Sequence, residues 1–475
     1  MALKVFDSLT RGIVEFKPIG DVVGLYTCGP TVYNVAHIGN FRAYVFEDIL
    51  RRYLKLRGFK VKQVMNLTDV DDKTIRDSLA QGVPLADFTR KYKDAFFDDV
   101  RTLGIEPAEV YPEATRHIGE MIQIIEVLFG KGLAYKGDDG SVYFSIGKFH
   151  EYGKLAHVDL SALKAGARVK QDEYEKESAS DFALWKAWDE SDGDVKWQSP
   201  WGQGRPGWHI ECSAMSMKHL SDAFASGTFD PSRFRTIDIH TGGVDNLFPH
   251  HEDEIAQSQG ATGKQFVKYW MHCEHLIVNG KKMSKSLGNF FTLRDLIEKG
   301  YDPKAIRYAL IAGHYRQQLN FTFEGLHAAK QAVDRLQEFV DKLMIADGAE
   351  SDLAVKVDEA ERRFIEAMDN DLNTPNALIA LFDFVRETNQ MIAGRHLSAE
   401  NARHVLALVR RIDSVLGLLS FEQDPLDPAL KALIERREAA RKTKDWALAD
   451  RIRDELKEKG IVIDDTEFGV KWKRP

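Results

Sequence analysis

The stretch Asp21-Val-Val-Gly-Leu-Tyr-Thr-Cys-Gly-Pro-Thr-Val-Tyr-Asn-Val-Ala-His-Ile-Gly-Asn40, with the run that follows it to Leu67, decides the fold of this 475-residue chain. Residues 21–28 predict a short buried strand, and Gly29-Pro-Thr31 a turn. From Asn40 to Arg57 the apolar residues Phe41, Val45, Ile49 and Tyr53 recur every four positions, which is helical spacing, and Gly58 is a natural stop. Residues 61–67 predict a second strand. Strand, helix and strand in this compass make a right-handed βαβ unit. Sites in such sheets lie beyond the carboxyl ends of the strands, here around Thr27 to Asn40 and Thr68 to Lys73.

Outward from this unit, residues 116–204 read as an insertion, with a helix near 117–130, a Gly-rich hairpin at 137–147 and a polar stretch from Asp172 to Ser180. A sheet-like pattern resumes near 235–241, and residues 219–235 suggest a surface loop around Gly227 and Pro231. From 323 to about 420 helical periodicity dominates. Gln423-Asp-Pro-Leu-Asp-Pro428 reads as a linker, 429–459 as a charged helical stretch, Ile461-Val-Ile463 as a short strand, and the remainder as a basic tail. At about 150 residues per domain the length suggests roughly three domains.

Composition sets the class. Hydrophobic residues are 44% and charged residues 29%, the balance of a globular protein rather than a disordered one. No apolar run approaches the roughly 18 residues needed to cross a bilayer, and the start lacks the apolar core of a signal peptide, so a cytoplasmic protein is expected. Three cysteines, Cys28, Cys212 and Cys273, argue against a disulfide scaffold and for a reducing compartment. The net charge of −8, from 65 basic against 73 acidic residues, announces no nucleic-acid binder, but binding needs only a local basic face.

Three groups of residues suggest chemistry. His37-Ile-Gly-Asn40 opens the first helix, where free N–H groups and the helix dipole suit a phosphate. Lys282-Met-Ser-Lys-Ser-Leu-Gly288 makes a positive loop able to follow a polyphosphate as charge develops. Cys28, Cys212, His250 and Glu254 offer two thiols, an imidazole and a carboxylate, a reasonable zinc set, with His250 and Glu254 on one helical face. Taken singly, a cysteine is most often a buried apolar residue and a glutamate a solvated one. Gly202-Gln-Gly-Arg-Pro-Gly207 matches a dinucleotide fingerprint by letters but lacks the strand pattern before it.

The two signatures in this order resemble those of class I aminoacyl-tRNA synthetases. Tyr26-Thr-Cys-Gly-Pro-Thr-Val-Tyr33, Asn66-Leu-Thr-Asp-Val-Asp-Asp-Lys73, Gly207-Trp-His-Ile-Glu-Cys212, Phe248-Pro-His-His-Glu-Asp-Glu254 and Lys444-Asp-Trp-Ala-Leu-Ala-Asp450 extend the likeness. Over its whole length the chain resembles the cysteinyl-tRNA synthetase family. Two positions depart from the common pattern. Asn40 stands where many class I enzymes have His, and Thr241 stands where the family usually has Gly.

The resemblance implies an α/β fold, with a Rossmann-type parallel sheet catalytic domain carrying an insertion, then an α-helical bundle and a small C-terminal mixed α/β domain. The expected division is 1–115 and 205–275 for the two catalytic halves, 116–204 for the insertion, 276–322 for the lysine-loop and stem-contact region, 323–422 for the bundle and 423–475 for the anticodon-binding domain. It implies activation of L-cysteine with ATP and transfer to tRNA-Cys, with Mg²⁺ on the ATP and one Zn²⁺ per chain, held by Cys28, Cys212, His250 and Glu254, recognising the substrate thiolate. His37, Asn40, Lys282 and Lys285 take the catalytic roles. Gly243 and Asp245 join His37, Asn40 and Lys285 at the nucleotide, and Thr68, Trp208 and His240 line the amino-acid pocket. Trp446, Asp450, Arg453 and Asp465 fall where anticodon contacts occur, and residues 429–475 carry 13 basic against 10 acidic residues. A monomer with no membrane contact is expected. Cys273 has no role in the resemblance and reads as a spare thiol near the lysine loop. The alternatives are a cysteine:amino-sugar ligase of mycothiol biosynthesis type, which needs no anticodon-binding end, and a non-catalytic RNA-binding relative.

Overall fold

The computed structural model describes residues 2–158, 181–349, 353–421, 428–466 and 469–473, with the side chains of Lys285, Pro428, 464–466 (Asp465 among them) and 469–473 outside that description. The polar stretch 172–180 and most of the expected linker also lie outside it. Strand β1 (Val22–Thr27), helix α1 (Ile38–Leu56) and strand β2 (Lys60–Met65) form the expected βαβ unit. Helix α2 (Trp208–Leu220), strand β3 (Ile237–Gly243), helix α3 (Glu252–Thr262) and strand β4 (Val267–Cys273) supply the other half. The sheet is parallel throughout, in the order β4-β3-β1-β2. Thr27 lies opposite Thr241 on one side and Met65 on the other. The chain reverses its direction of winding between β1 and β3, so their carboxyl ends open a crevice.

The central strand β1 reads as a nearly continuous apolar run, as expected of a parallel strand covered on both faces. Phe41, Val45, Ile49 and Tyr53 are all buried on α1, as their spacing requires. The same helix also buries Arg42, Glu47, Asp48 and Arg51, so it is covered nearly all round. Its charges are met locally: Arg42 donates to the carbonyls of Gly313 and His314 at 3.0 and 2.8 Å, and Asp48 pairs with buried Arg307 at 2.5 Å.

The insertion is more than a helix and a hairpin. After the helix Ile118–Gly130, strands Ala134–Lys136, Val142–Phe144, Phe182–Ala187, Gly202–Pro206 and Trp197–Ser199 form a five-stranded antiparallel sheet in that spatial order. The glycine-rich Gly202–Pro206 is thus itself a strand rather than a phosphate loop. The expected surface loop 219–235 begins with the last two residues of α2 and contains one further short turn of helix, Pro231–Arg233.

Two compact units divide the chain. The first comprises Met1–Ala332, Ala360–Phe382 and Ser414–Gly417; the second Val333–Glu359, Asp383–Asp413 and Leu418–Pro475. The first runs past residue 322 and takes in 360–382 because buried polar groups bind that segment to it. Asp369 accepts from Tyr53 Oη at 2.7 Å, Asp371 accepts from Tyr315 Oη at 2.6 Å, and Thr374 Oγ1 donates to the Ile311 carbonyl at 2.7 Å. The helical region consists of α4 (Phe323–Met344), α5 (Ala354–Asp369), α6 (Thr374–Ala393) and α7 (Ala399–Leu416).

Within the second unit, the charged stretch that read as one helical segment is two helices, α8 (Pro428–Lys442) and α9 (Trp446–Glu458). Lys444 between them takes a left-handed φ of 60°, and Asp445 caps α9 by accepting from the Leu448 N–H at 3.1 Å. The expected basic tail is a strand: Gly469–Lys473 pairs antiparallel with Val462–Thr466. Ile452, Leu456, Ile461 and Ile463, flanked by Leu430, Leu433, Ile434 and Leu448, give this end its own small apolar core.

Candidate metal and nucleotide site

A cleft of 710 Å³ opens at the carboxyl ends of β1, β2 and β3, and the residues singled out in the sequence converge on it. Its walls include Cys28, His37, Asn40, Thr68, Trp208, Cys212, Gly243, Asp245, His250 and Lys282.

The helix start at its floor explains why Asn occupies position 40. His37 is the N-cap of α1, and its Nδ1 accepts from the Asn40 N–H at 3.2 Å, while Asn40 Oδ1 accepts from the His37 N–H at 3.0 Å. This is a reciprocal capping box, which a short amide can close. With Nδ1 used as an acceptor, the ring proton sits on Nε2 and is available to donate into the cleft. Burial lowers the His37 pKa, so the ring is neutral. A side chain at Gly39 would stand 3.0 Å from the folded-back His37 ring, so the position stays bare.

The lysine loop is tied to the same helix start: the Ile38 N–H donates to the Phe291 carbonyl at 2.9 Å. Asn289 closes the loop on itself, accepting from the Ser284 N–H at 2.8 Å and donating to the Lys282 carbonyl at 3.2 Å. Lys282 is exposed on the cleft wall, and Lys285 begins the short turn Lys285–Leu287.

Opposite, one donor atom each from Cys28, Cys212, His250 and Glu254 lies within 4.8 Å of the other three, all four residues buried. Glu254 Oε1 makes no hydrogen bond although it is wholly buried, and it stands 3.2 Å from His250 Nε2. Burial pushes the Glu254 carboxyl up to about 8 and the His250 imidazole down to about 3. Burial of an orphaned carboxyl costs free energy that a cation relieves, and this N/S/O donor set suits zinc.

Outer groups orient these donors. Asp253 Oδ2 lies 3.2 Å from His209 Nε2, and His209 Nδ1 lies 2.8 Å from His250 Nδ1. The Asp253 charge beside Nε2 favours the His209 tautomer protonated there, in which His209 Nδ1 accepts from His250 Nδ1–H. His250 Nε2 is thereby left as a lone pair aimed at the other three donors. Tyr152 Oη donates to Asp253, and Glu252 accepts from the Gly153 and Ala156 N–H groups at 2.8 and 2.9 Å. A second wire runs from Cys28 Sγ to His251 Nε2 at 3.3 Å, from His251 Nδ1 to His272 Nε2 at 2.8 Å, and from His272 Nδ1 to Ser8 Oγ at 2.7 Å. Asp253→Asn should weaken metal binding by about 10–100-fold, the scale for an outer-shell partner. A competition titration with a chromogenic chelator reads this, and unchanged affinity rejects the orienting role.

Some expectations shift. His240, expected on the pocket wall, is wholly buried behind the metal group, stacked on Trp270 at 4.7 Å, with Nε2 3.1 Å from Glu254 Oε2. It thus belongs to an overlapping cluster, Cys28, His240, His251 and Glu254, whose donors also lie within 4.8 Å. Only the first group brings a second thiol and three cleft-lining members. Trp208 lines the cleft and stacks on His250 at 4.3 Å, and Thr68 accepts from Asn66 Nδ2 at 3.1 Å. Cys273 lies on the cleft wall opposite Gly243 in the sheet, its thiol pushed up to about 12 by burial. In the second unit Trp446 is 57% exposed, outside the local core, with the Arg441 guanidinium 6.0 Å from its ring. Asp450 and Arg453 pair at 3.2 Å on the exposed face of α9. Sequence reasoning missed Asp253, His209, His251 and His272, whose only signal is a cluster of histidines around the motifs.

The family described as "tRNA synthetases class I (C) catalytic domain" matches residues 15–331, "DALR domain" matches 363–420 and "Cysteinyl-tRNA ligase anticodon binding domain" matches 423–472. A cysteine–tRNA ligase of Protochlamydia amoebophila is 49% identical over 99% of this chain and 98% of its own length. The chain belongs to the cysteine–tRNA ligase family. Another cysteine–tRNA ligase, from Brachyspira hyodysenteriae, is 50% identical over 99% of this chain and 98% of that relative, and one from Chlamydia muridarum is 48% identical over the whole of both. The fold is also that of Mycobacterium tuberculosis methionyl-tRNA synthetase in complex with methionyl-adenylate, with a TM-score of 0.59 at 15% identity over 84% of this chain and 90% of that one. The LeuRS–tRNA–LeuAMS complex of Agrobacterium radiobacter gives 0.59 at 12% identity over 85% of each chain.

Proposed function

We propose that this chain activates L-cysteine with ATP·Mg²⁺ as cysteinyl-adenylate and transfers the cysteinyl group to tRNA-Cys, with one zinc ion held by Cys28, Cys212, His250 and Glu254. The observation that carries this reading is that three of the four clustered donors, from Cys28, Cys212 and His250, line the same cleft as His37, Asn40 and Lys282. A zinc ion bound there supplies a soft Lewis acid that takes a thiolate and refuses the serine hydroxyl. A pocket working by shape alone separates such near-isosteres by only about 10².

The side chains divide the remaining work. In the first step a cysteine carboxylate oxygen attacks the α-phosphorus of ATP and pyrophosphate leaves. His37 Nε2–H and the N–H groups at the start of α1 meet the phosphates, with Asn40 closing the cap. Lys282 and Lys285 follow the charge that develops on the departing pyrophosphate. Gly243 and Asp245 hold the ribose. Thr68 and Trp208 form the wall that places the amino acid, and His240 supports it from behind through Glu254. In the second step a hydroxyl of the terminal tRNA ribose displaces AMP.

Within this reading residues 323–422 handle tRNA and 423–475 meet the anticodon, with Trp446 stacking on an unpaired base beside Asp450, Arg453 and Asp465. Its exposure supports that role over one in the core. The enzyme acts as a cytoplasmic monomer; among the described residues no helix is long and apolar enough to cross a membrane. The cysteine:amino-sugar ligase alternative is not favoured, because residues 423–472 match an anticodon-binding family.

ATP–pyrophosphate exchange tests the first step: it should depend on cysteine and not respond to serine. A chain ending at residue 422 should keep that exchange, because the end segment has its own core. It should charge tRNA-Cys poorly, each lost stacked base costing about 1–3 kcal/mol. Exchange without any charging by the full chain would favour the amino-sugar ligase.

A further inference from the structure

Thr241 replaces a glycine of the common pattern two residues before Gly243, and its partner lies 194 positions away. Thr241 Oγ1 donates to Glu47 Oε1 at 2.9 Å, with both side chains wholly buried. Glu47 sits in the middle of α1, the helix whose first turn carries His37 and Asn40. Its other oxygen, Oε2, has no hydrogen-bond partner. Burial pushes this carboxyl up to about 8, so it is uncharged at neutral pH. A buried polar group left half-satisfied is unfavourable, so the pair is poor as a device for stability alone.

Its position suggests another use. β3 is pinned between β1 and β4, with Thr241 opposite Thr27 and Met271, and Gly243 opposite Cys273. Past the strand the chain turns tightly: a side chain on Gly243 would stand 2.3 Å from Asp245 Oδ1, and one on Gly242 would stand 2.9 Å from Asn246 Nδ2. Little slack therefore separates Thr241 from Asp245, and a shift at one is passed to the other. Asp245 in turn lines the same cleft as His37 and Asn40 at the helix start. The hydrogen bond thus ties the strand that presents Gly243 and Asp245 to the helix that presents His37 and Asn40.

We infer that Glu47 and Thr241 act together as positioning residues for the nucleotide, fixing the distance between the ribose-binding turn and the phosphate-binding helix start. The inference rests on the proposed synthetase reading of the cleft. It makes the Thr in place of Gly a compensated change, tolerable because position 47 supplies an acceptor.

The test is cysteine-dependent ATP–pyrophosphate exchange by the full chain, with KM measured separately for ATP and cysteine. Thr241→Val keeps the branched shape and strands the carboxyl; it should raise the ATP KM about tenfold, the scale of an unsatisfied buried group. The cysteine KM and kcat should stay within about twofold of the unaltered chain's. Glu47→Met should raise the ATP KM similarly, whereas Glu47→Gln, which keeps the acceptor, should not. In the Glu47→Met/Thr241→Val double variant the ATP KM should be raised no further than in either single variant, because each single change already breaks the one bond. Unchanged ATP KM in Thr241→Val, with only the melting temperature moved, overturns the proposal, as do strictly additive effects. Should the unaltered chain show no cysteine-dependent exchange, the fault lies with the proposed function; normal exchange with indifferent variants faults this inference alone.

Discussion

Cys212→Ser should abolish both metal retention and cysteine activation, each by more than the 10–100-fold that an outer-shell change costs. The substitution replaces a soft donor by a hard, protonated one at almost the same volume, so packing in α2 is conserved while ligation is not. Cys212 is 1% exposed and sits among buried residues of that helix, so no solvent group can step in for it. Metal analysis of the purified variant, alongside ATP–pyrophosphate exchange, gives the two readings. Full metal content with lost exchange would move Cys212 out of the ligand set, and full exchange without metal would end the thiolate-recognition mechanism. The overlapping cluster of Cys28, His240, His251 and Glu254 adds a further arm. If that cluster were the resident site, Cys212→Ser would leave metal content intact, because Cys212 is not part of it.

Lys285→Ala should slow adenylate formation by about 10²–10³-fold, the cost of one oriented donor at a developing charge. Cysteine binding should hardly change, since Lys285 is no member of the metal group. The effect belongs to the rate and not to binding of the ground state, because the lysine follows charge that appears only as pyrophosphate departs. Single-turnover formation of the adenylate separates the two. An unaltered rate removes Lys285 from the chemistry, while a rate loss accompanied by weak cysteine binding points to collapse of the loop that Asn289 holds closed.

The fold was legible where pattern and period agree. The four-residue spacing of Phe41, Val45, Ile49 and Tyr53 marked α1, and the apolar run from Val22 marked β1, because a parallel sheet covered on both faces leaves no polar alternation to confuse the reading. The insertion was less legible. Its five strands are 3–6 residues long and pair across gaps in sequence, with a register shift at Val142/Tyr143, so only the first hairpin announced itself. The two helices at the C-terminal end ran together because their separation turns on one left-handed Lys444, a residue type with no turn signature.

At the site, the groups that meet substrate stand in recognisable motifs, but the groups behind them do not. Asp253 and Glu47 are buried carboxyls, and in sequence a buried carboxyl cannot be told from a solvated one. The burial of His240 was not legible for the related reason that a motif places a residue near a cleft without saying on which side of the strand it points.

The rooting of the insertion has a practical consequence for anyone who would exchange it. Tyr152 Oη on Asp253, and the Gly153 and Ala156 amides on Glu252, fasten its edge to two consecutive residues that lie between the proposed ligands His250 and Glu254. A chimera with another insertion must therefore be spliced outside residues 152–156. A junction inside them would release Asp253, and with it the His209–His250 chain. Such a graft would be scored as a failure of the new module when the fault was a loosened metal pocket.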